Sequence, residues 1–134
     1  MIILPNLRDK KLILMAKKLQ CSWIGAITIV PKPHCKEWDC HNNCLKYTNW
    51  YGGERVIGYY FLENTESDRI GAILHSVVRK DNGIIDITPF LDNRYYNIFA
   101  IKSCQISNYT NPEIWYNKNE LTIKGELNES RNME

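Results

Sequence analysis

The sequence contains no apolar run approaching the roughly 18–20 residues that a membrane-spanning helix needs, so no such helix is expected. It also has little net charge. Its 17 Lys and Arg against 15 Asp and Glu give +2, too little to argue for nucleic acid or an anionic membrane as a partner. The basic residues are scattered rather than clustered. The opening stretch, Met1-Ile2-Ile3-Leu4-Pro5-Asn6-Leu7, lacks the charged start, long apolar segment and small-residue cleavage site of a secretory signal, and a cytoplasmic setting is the expectation. Five cysteines are an odd number in a 134-residue chain long enough to fold without staples, which argues against a disulfide framework. Internal repeats and recognisable linkers are missing as well.

What is present reads as one α+β domain over residues 1–125, with 126–134 a flexible tail free of apolar periodicity. Residues 9–20 carry Leu12, Met15, Ala16 and Leu19 at helical spacing. Residues 21–30 are β-branched and apolar, a buried strand that Pro31 and Pro33 end. From Cys40 to Tyr51 the pattern is helical again, with Cys40, Cys44 and Tyr47 on one stripe, Asp39 in the N-cap place and Gly52-Gly53 as the stop. Residues 55–62 and 69–78 are strands rich in Val, Ile, Tyr and Phe, separated by an acidic turn. Residues 90–106 hold a further strand with Tyr95, Tyr96, Ile98, Phe99 and Ile101 as its apolar members, and Leu121–Ile123 suits a last short one. The expected architecture is an antiparallel sheet packed against one or two helices.

Between His75 and Pro89 lies a hairpin whose register matters. A four-residue loop, Arg79 to Asn82, sets His75 opposite Asp86, where directly opposed Cβ atoms are about 4.5–5.5 Å apart and an imidazole can bond a carboxylate. A two-residue Asn82-Gly83 turn sets His75 opposite Phe90 instead. An Asp before Thr88-Pro89 also suits a simple turn cap.

Cys40 opens the second helix, where unpaired N–H groups and the positive end of the dipole favour a thiolate. A free cysteine has a pKa of roughly 8.5 and needs that help near neutral pH. A histidine can take its proton and a carboxylate can fix that histidine's tautomer. Cys40, His75 and Asp86 therefore make a candidate nucleophile, base and orienting acid. Zinc is the alternative cofactor: His34, Cys35, Cys40, His41 and Cys44 are soft ligands close together, although a second Cys/His knuckle is missing. A third alternative is an interaction module using an aromatic-lined groove near Trp38, Trp50, Tyr59 and Tyr60.

The three pieces Asp39-Cys40-His41-Asn42-Asn43, His75-Ser76-Val77-Val78 and Gly83-Ile84-Ile85-Asp86-Ile87-Thr88-Pro89 resemble the papain-like and transglutaminase-like thiol fold. The stretch Tyr51 to Tyr60 is similar to small bacterial and phage proteins of that type, and the likeness covers about residues 34–90. It implies a core with the cysteine at a helix N-terminus and acyl transfer through Cys40, His75 and Asp86 without a cofactor. The implied substrate is a protein, a peptide or a small amide. Papain-like enzymes usually carry Gln six residues before the cysteine, where this chain has His34. His34 or Asn43 is then the expected side-chain donor to the oxyanion, beside the backbone N–H of Cys40. Some relatives of this fold are catalytically inactive binding modules.

Overall fold

The computed structural model describes residues 2–3, 5–89, 98–105 and 113–121. Tyr95, Tyr96, Ile123 and the tail 126–134 lie outside the described residues. In chain order the elements are β1 (Ile2–Ile3), α1 (Lys10–Lys18), β2 (Cys21–Ala26), β3 (Thr28–Ile29), α2 (Cys40–Tyr51), β4 (Glu54–Asn64), β5 (Arg69–Lys80), β6 (Gly83–Asp86), β7 (Ile98–Lys102) and β8 (Glu113–Asn117). The class is α+β.

A long hairpin carries the rest. β4 and β5 pair antiparallel from Glu54 opposite Arg79 to Asn64 opposite Arg69. β7 joins the middle of β4 at Gly58–Tyr60 and β6 joins the end of β5 at Val78–Lys80, while towards the hairpin's turn β1 joins β4 and β8 joins β5. The main strand order is β2-β7-β4-β5-β6-β3. Its two outer members, β2 and β3, are separated in sequence by Ile27 alone. Strands so closely linked cannot lie at opposite edges of a flat sheet, so the sheet curls round on itself. Ile27 fills the inside of the curl together with Val56, Tyr60, Leu62, Val77, Phe99 and Ile101.

The sheet is mixed rather than purely antiparallel, because β3 runs parallel to β6, with Thr28 opposite Ile85 and Ile29 opposite Asp86. The long passage through α2 and the β4–β5 hairpin allows that parallel return. The expected single strand over 21–30 is thus two strands with a break at Ile27. A strand at 113–117 around Trp115 was not anticipated, and Leu121 lies in a helical turn over 118–121 rather than in a strand.

The helices cover the outer face of the sheet. α1 starts at Asp9, whose carboxylate accepts the Lys11 N–H at 2.9 Å, a cap worth about 1 kcal/mol. It buries Leu12, Met15 and Ala16 against Ile57, Tyr59, Phe61, Ala72 and Leu74, and each fully buried large side chain contributes about 1.5–3 kcal/mol. α2 lays Cys44 and Tyr47 on Val78, Ile87 and Cys35. Of the expected stripe Cys40, Cys44 and Tyr47, the last two are buried with Asn43, while Cys40 is only half-buried.

Candidate active site

The β5–β6 hairpin adopts a register between the two expected. Val78 faces Ile85, Arg79 faces Ile84 and Lys80 faces Gly83. The turn is Asp81-Asn82, both left-handed at φ 51° and 66°, the backbone of a type I′ turn that Asp and Asn accept. Counting on, His75 comes level with Thr88, two residues past Asp86. Side chains two apart on a strand share a face, and a diagonal separation of about 7–8 Å is within reach of an imidazole. His75 and Asp86 meet diagonally: His75 Nε2 lies 2.9 Å from Asp86 Oδ2.

Asp86 is completely buried and has three donors. Oδ2 receives His75 and the Tyr60 hydroxyl, the latter at 2.5 Å, while Oδ1 accepts the Thr88 N–H at 3.0 Å. The turn-capping role and the histidine-orienting role therefore coexist on one carboxylate, one oxygen each. Tyr60 is the residue that sequence reasoning missed. Its position in the apolar run Tyr59-Tyr60-Phe61-Leu62 reads as core, and only its place across the sheet shows the hydroxyl to have a polar target. The Tyr60 ring also lies against His75, centroids 4.7 Å apart, and Phe99 meets Tyr60 edge-on at 5.4 Å. Gly58, directly opposite His75, leaves space for this packing, since a Cβ there would come within 2.6 Å of the Phe99 ring.

Between the Arg69–Ile73 ladder with β8 and the Val78–Lys80 ladder with β6, residues 74–77 of β5 have no ladder partner on that edge among the described residues. This gap lets the start of α2 reach side chains on both faces of β5. The Cys40 thiol is hydrogen-bonded to the imidazoles of His75 and His41. His41 in turn makes a short Nδ1–Oγ hydrogen bond with Ser76. With Nε2 of His75 on Asp86, its Nδ1 is the nitrogen left for sulfur.

Burial of the Cys40 thiol works against ionisation. The hydrogen bonds and charge of His41 and His75 outweigh it and lower the pKa from 9.0 to about 6. Burial likewise works against a charged His75, but its bonds to Asp86 and Cys40 raise its pKa from 6.5 to about 9. Near neutral pH the pair therefore rests as thiolate and imidazolium. Cys44, one turn behind, behaves oppositely: burial first, then the charge of Cys40, pushes its thiol up. Cys21 is pushed up to about 11 by burial. Among these thiols Cys40 is the acidic one.

The expected oxyanion donors are placed elsewhere. His34 is exposed and stacks near Trp50 and Tyr51, with centroids 6.1 and 6.4 Å away. That is the C-terminal end of α2, about 15 Å of helix from Cys40, because the loop 31–39 runs back along the helix. The Asn43 amide is fully occupied. Its Nδ2 donates to Lys36 O at 2.7 Å and to Thr88 Oγ1 at 3.1 Å, and its Oδ1 accepts the Lys36 N–H at 3.0 Å. It braces the loop before the cysteine against the segment after Asp86. Asp39 stands at the N-cap position, but its side chain accepts from Asn42 Nδ2 rather than from a backbone N–H. The first N–H groups of α2, that of Cys40 included, have no acceptor inside the helix.

The alternative zinc ligands are divided. Cys35 and Cys44 lie in an apolar cluster with Tyr47, Val78 and Ile87, whereas Cys40 and His41 turn to His75 and Ser76. No group of three or more His, Cys, Asp or Glu among the described residues is arranged to hold a metal ion. Trp38 and Trp50 are exposed while Tyr59 and Tyr60 are buried, so these four aromatics do not line one groove. No helix among the described residues is long and apolar enough to cross a membrane. Comparisons with protein-family models, with curated proteins and with solved structures each return no match.

Proposed function

We propose that the chain is a thiol-dependent hydrolase or acyl transferase, acting on an amide or ester through Cys40, His75 and Asp86. The observation that carries this reading is the continuous chain Asp86–His75–Cys40. A buried carboxylate sits 2.9 Å from a buried imidazole, and that imidazole is hydrogen-bonded to an acidic thiol at a helix start. The papain-like and transglutaminase-like resemblance points the same way, with the same residues in the same order.

The thiolate of Cys40 attacks the acyl carbon, and the carbonyl π pair moves onto oxygen. The helix-start N–H groups are the donors available to that oxyanion. Collapse of the intermediate expels an amine or alcohol, which takes the proton of the His75 imidazolium, leaving a thioester on Cys40. Water, or an acceptor amine, then attacks the thioester while neutral His75 removes its proton. Cys40 leaves as thiolate and the imidazolium is restored. Asp86 holds the ring throughout, with Tyr60 and Thr88 fixing the carboxylate in turn.

The test is acyl-enzyme formation with p-nitrophenyl acetate. The proposal predicts a burst of p-nitrophenol and an acetyl mass increment on the Cys40 peptide, lost in Cys40→Ala and slowed in His75→Ala. Acetylation spread over several cysteines and indifferent to His75→Ala would overturn it.

A further inference from the structure

The Cys40 thiol has two imidazole partners, and the acyl-transfer scheme uses only one of them. His41, the next residue on α2, hydrogen-bonds the same sulfur and is tied through Nδ1 to Ser76 Oγ. Ser76 is completely buried, and a buried hydroxyl is held to the partner it has. Ser76 also follows His75 directly on β5, so one strand supports both rings: it carries one and anchors the other. The two supports differ in kind. His75 is backed by the Asp86 carboxylate, which favours its charged form. His41 is backed by a hydroxyl. With Nδ1 of His41 held by that hydroxyl, Nε2 is the ring nitrogen left to face the sulfur.

We propose that His41 is a second catalytic imidazole that holds the Cys40 thiolate by a hydrogen bond, with Ser76 as its positioning residue, while protonation of the leaving group belongs to His75. The proposal rests on Cys40 being the nucleophile. It divides the work of the site, since thiolate formation depends on both histidines and turnover on His75. Among the described residues, the titratable groups facing Cys40 are His41 and Cys44 from α2, His75 from β5 and Tyr60 from β4, with Asp86 of β6 behind His75. Of these, His41 and His75 lower the thiol, which makes them the two to remove.

The experiment is the pH dependence of Cys40 alkylation by iodoacetamide, read on the Cys40 peptide, in the wild-type chain, His41→Ala and Ser76→Ala. The expected result is a wild-type midpoint near 6 that rises by about one pH unit in His41→Ala, so that labelling at pH 5 falls about tenfold. Ser76→Ala, which removes the hydroxyl from His41 Nδ1, shifts the midpoint in the same direction. A low midpoint unchanged in His41→Ala overturns the role of His41 and leaves the acyl-transfer reading standing. An unchanged midpoint in Ser76→Ala beside a raised one in His41→Ala overturns the positioning role of Ser76. A wild-type midpoint at the ordinary thiol value overturns both proposals together.

Discussion

Replacing Asp86 by Asn isolates the electrostatic work of the carboxylate. The amide keeps the size of the side chain and can still accept the Thr88 N–H, but it removes the charge facing His75 Nε2. A hydrogen bond to a charged group contributes about 1.5–3 kcal/mol, and this one lies between a completely buried carboxylate and a 7% exposed imidazole. Water does little to screen it. Burial by itself disfavours the imidazolium, and the bonds to Asp86 and Cys40 are what raise His75 to about 9. With one of those supports gone, His75 loses its proton about one to two pH units earlier, at 1.36 kcal/mol per unit. The thiolate then loses the cation beside it, and the Cys40 midpoint moves up from about 6. NMR titration of His75 and peptide-resolved alkylation of Cys40 report the two halves of the pair, whose apparent values belong to the pair as a unit. An Asp86→Asn chain in which His75 still titrates near 9 and Cys40 still labels as in wild type would refute the reasoning.

Three further substitutions separate scaffold from chemistry. Tyr60→Phe removes a hydrogen bond to a charged group but keeps the ring against His75. It is expected to cost about 1.5–3 kcal/mol in denaturant unfolding while the Cys40 midpoint stays near 6. Asn43→Ala removes the brace between Lys36 and Thr88, for an expected loss of about 2–3 kcal/mol and faster proteolysis of the loop before Cys40. Gly58→Ala puts a Cβ within 2.0 Å of Ala100 O. Such a contact cannot be relieved by a rotamer change, so β7 must shift, and a loss of about 3 kcal/mol in unfolding free energy is expected.

Much of this site is legible in the sequence because its chemistry lies on strongly patterned elements. The helix from Cys40 to Tyr51 stops at Gly52, as its two glycines indicate, and Cys40 stands at its first turn. The hairpin register was not readable, because Lys80-Asp81-Asn82-Gly83 offers turn residues for three registers. The three registers differ in steps of two residues, and a two-residue slip keeps both side chains on the same face. His75 reaches Asp86 directly across the four-residue loop and diagonally across the observed turn, whereas the Asn82-Gly83 turn would set it opposite Phe90, four residues from Asp86, and break the pair. What the sequence could not supply was the curl of the sheet, which depends on β2 and β3 parting at Ile27 to opposite ends of the strand order. Tyr60 and Ser76 join the site only through that curvature and the gap beside β5. His34 was misplaced for a related reason: a loop of nine residues before Cys40 can return along the helix, and proximity in sequence then gives distance in space.

The most direct test of the account is selective alkylation at pH 6–7, comparing Cys40 with the exposed Cys104 in wild type and in His75→Ala. The thiolate of Cys40 forms as pH rises through about 6, and His75 keeps its proton until about 9. Cys40 is therefore expected to label well ahead of Cys104, and to lose most of that advantage in His75→Ala. Equal labelling of the two cysteines in the wild-type chain, unaffected by His75→Ala, would contradict it.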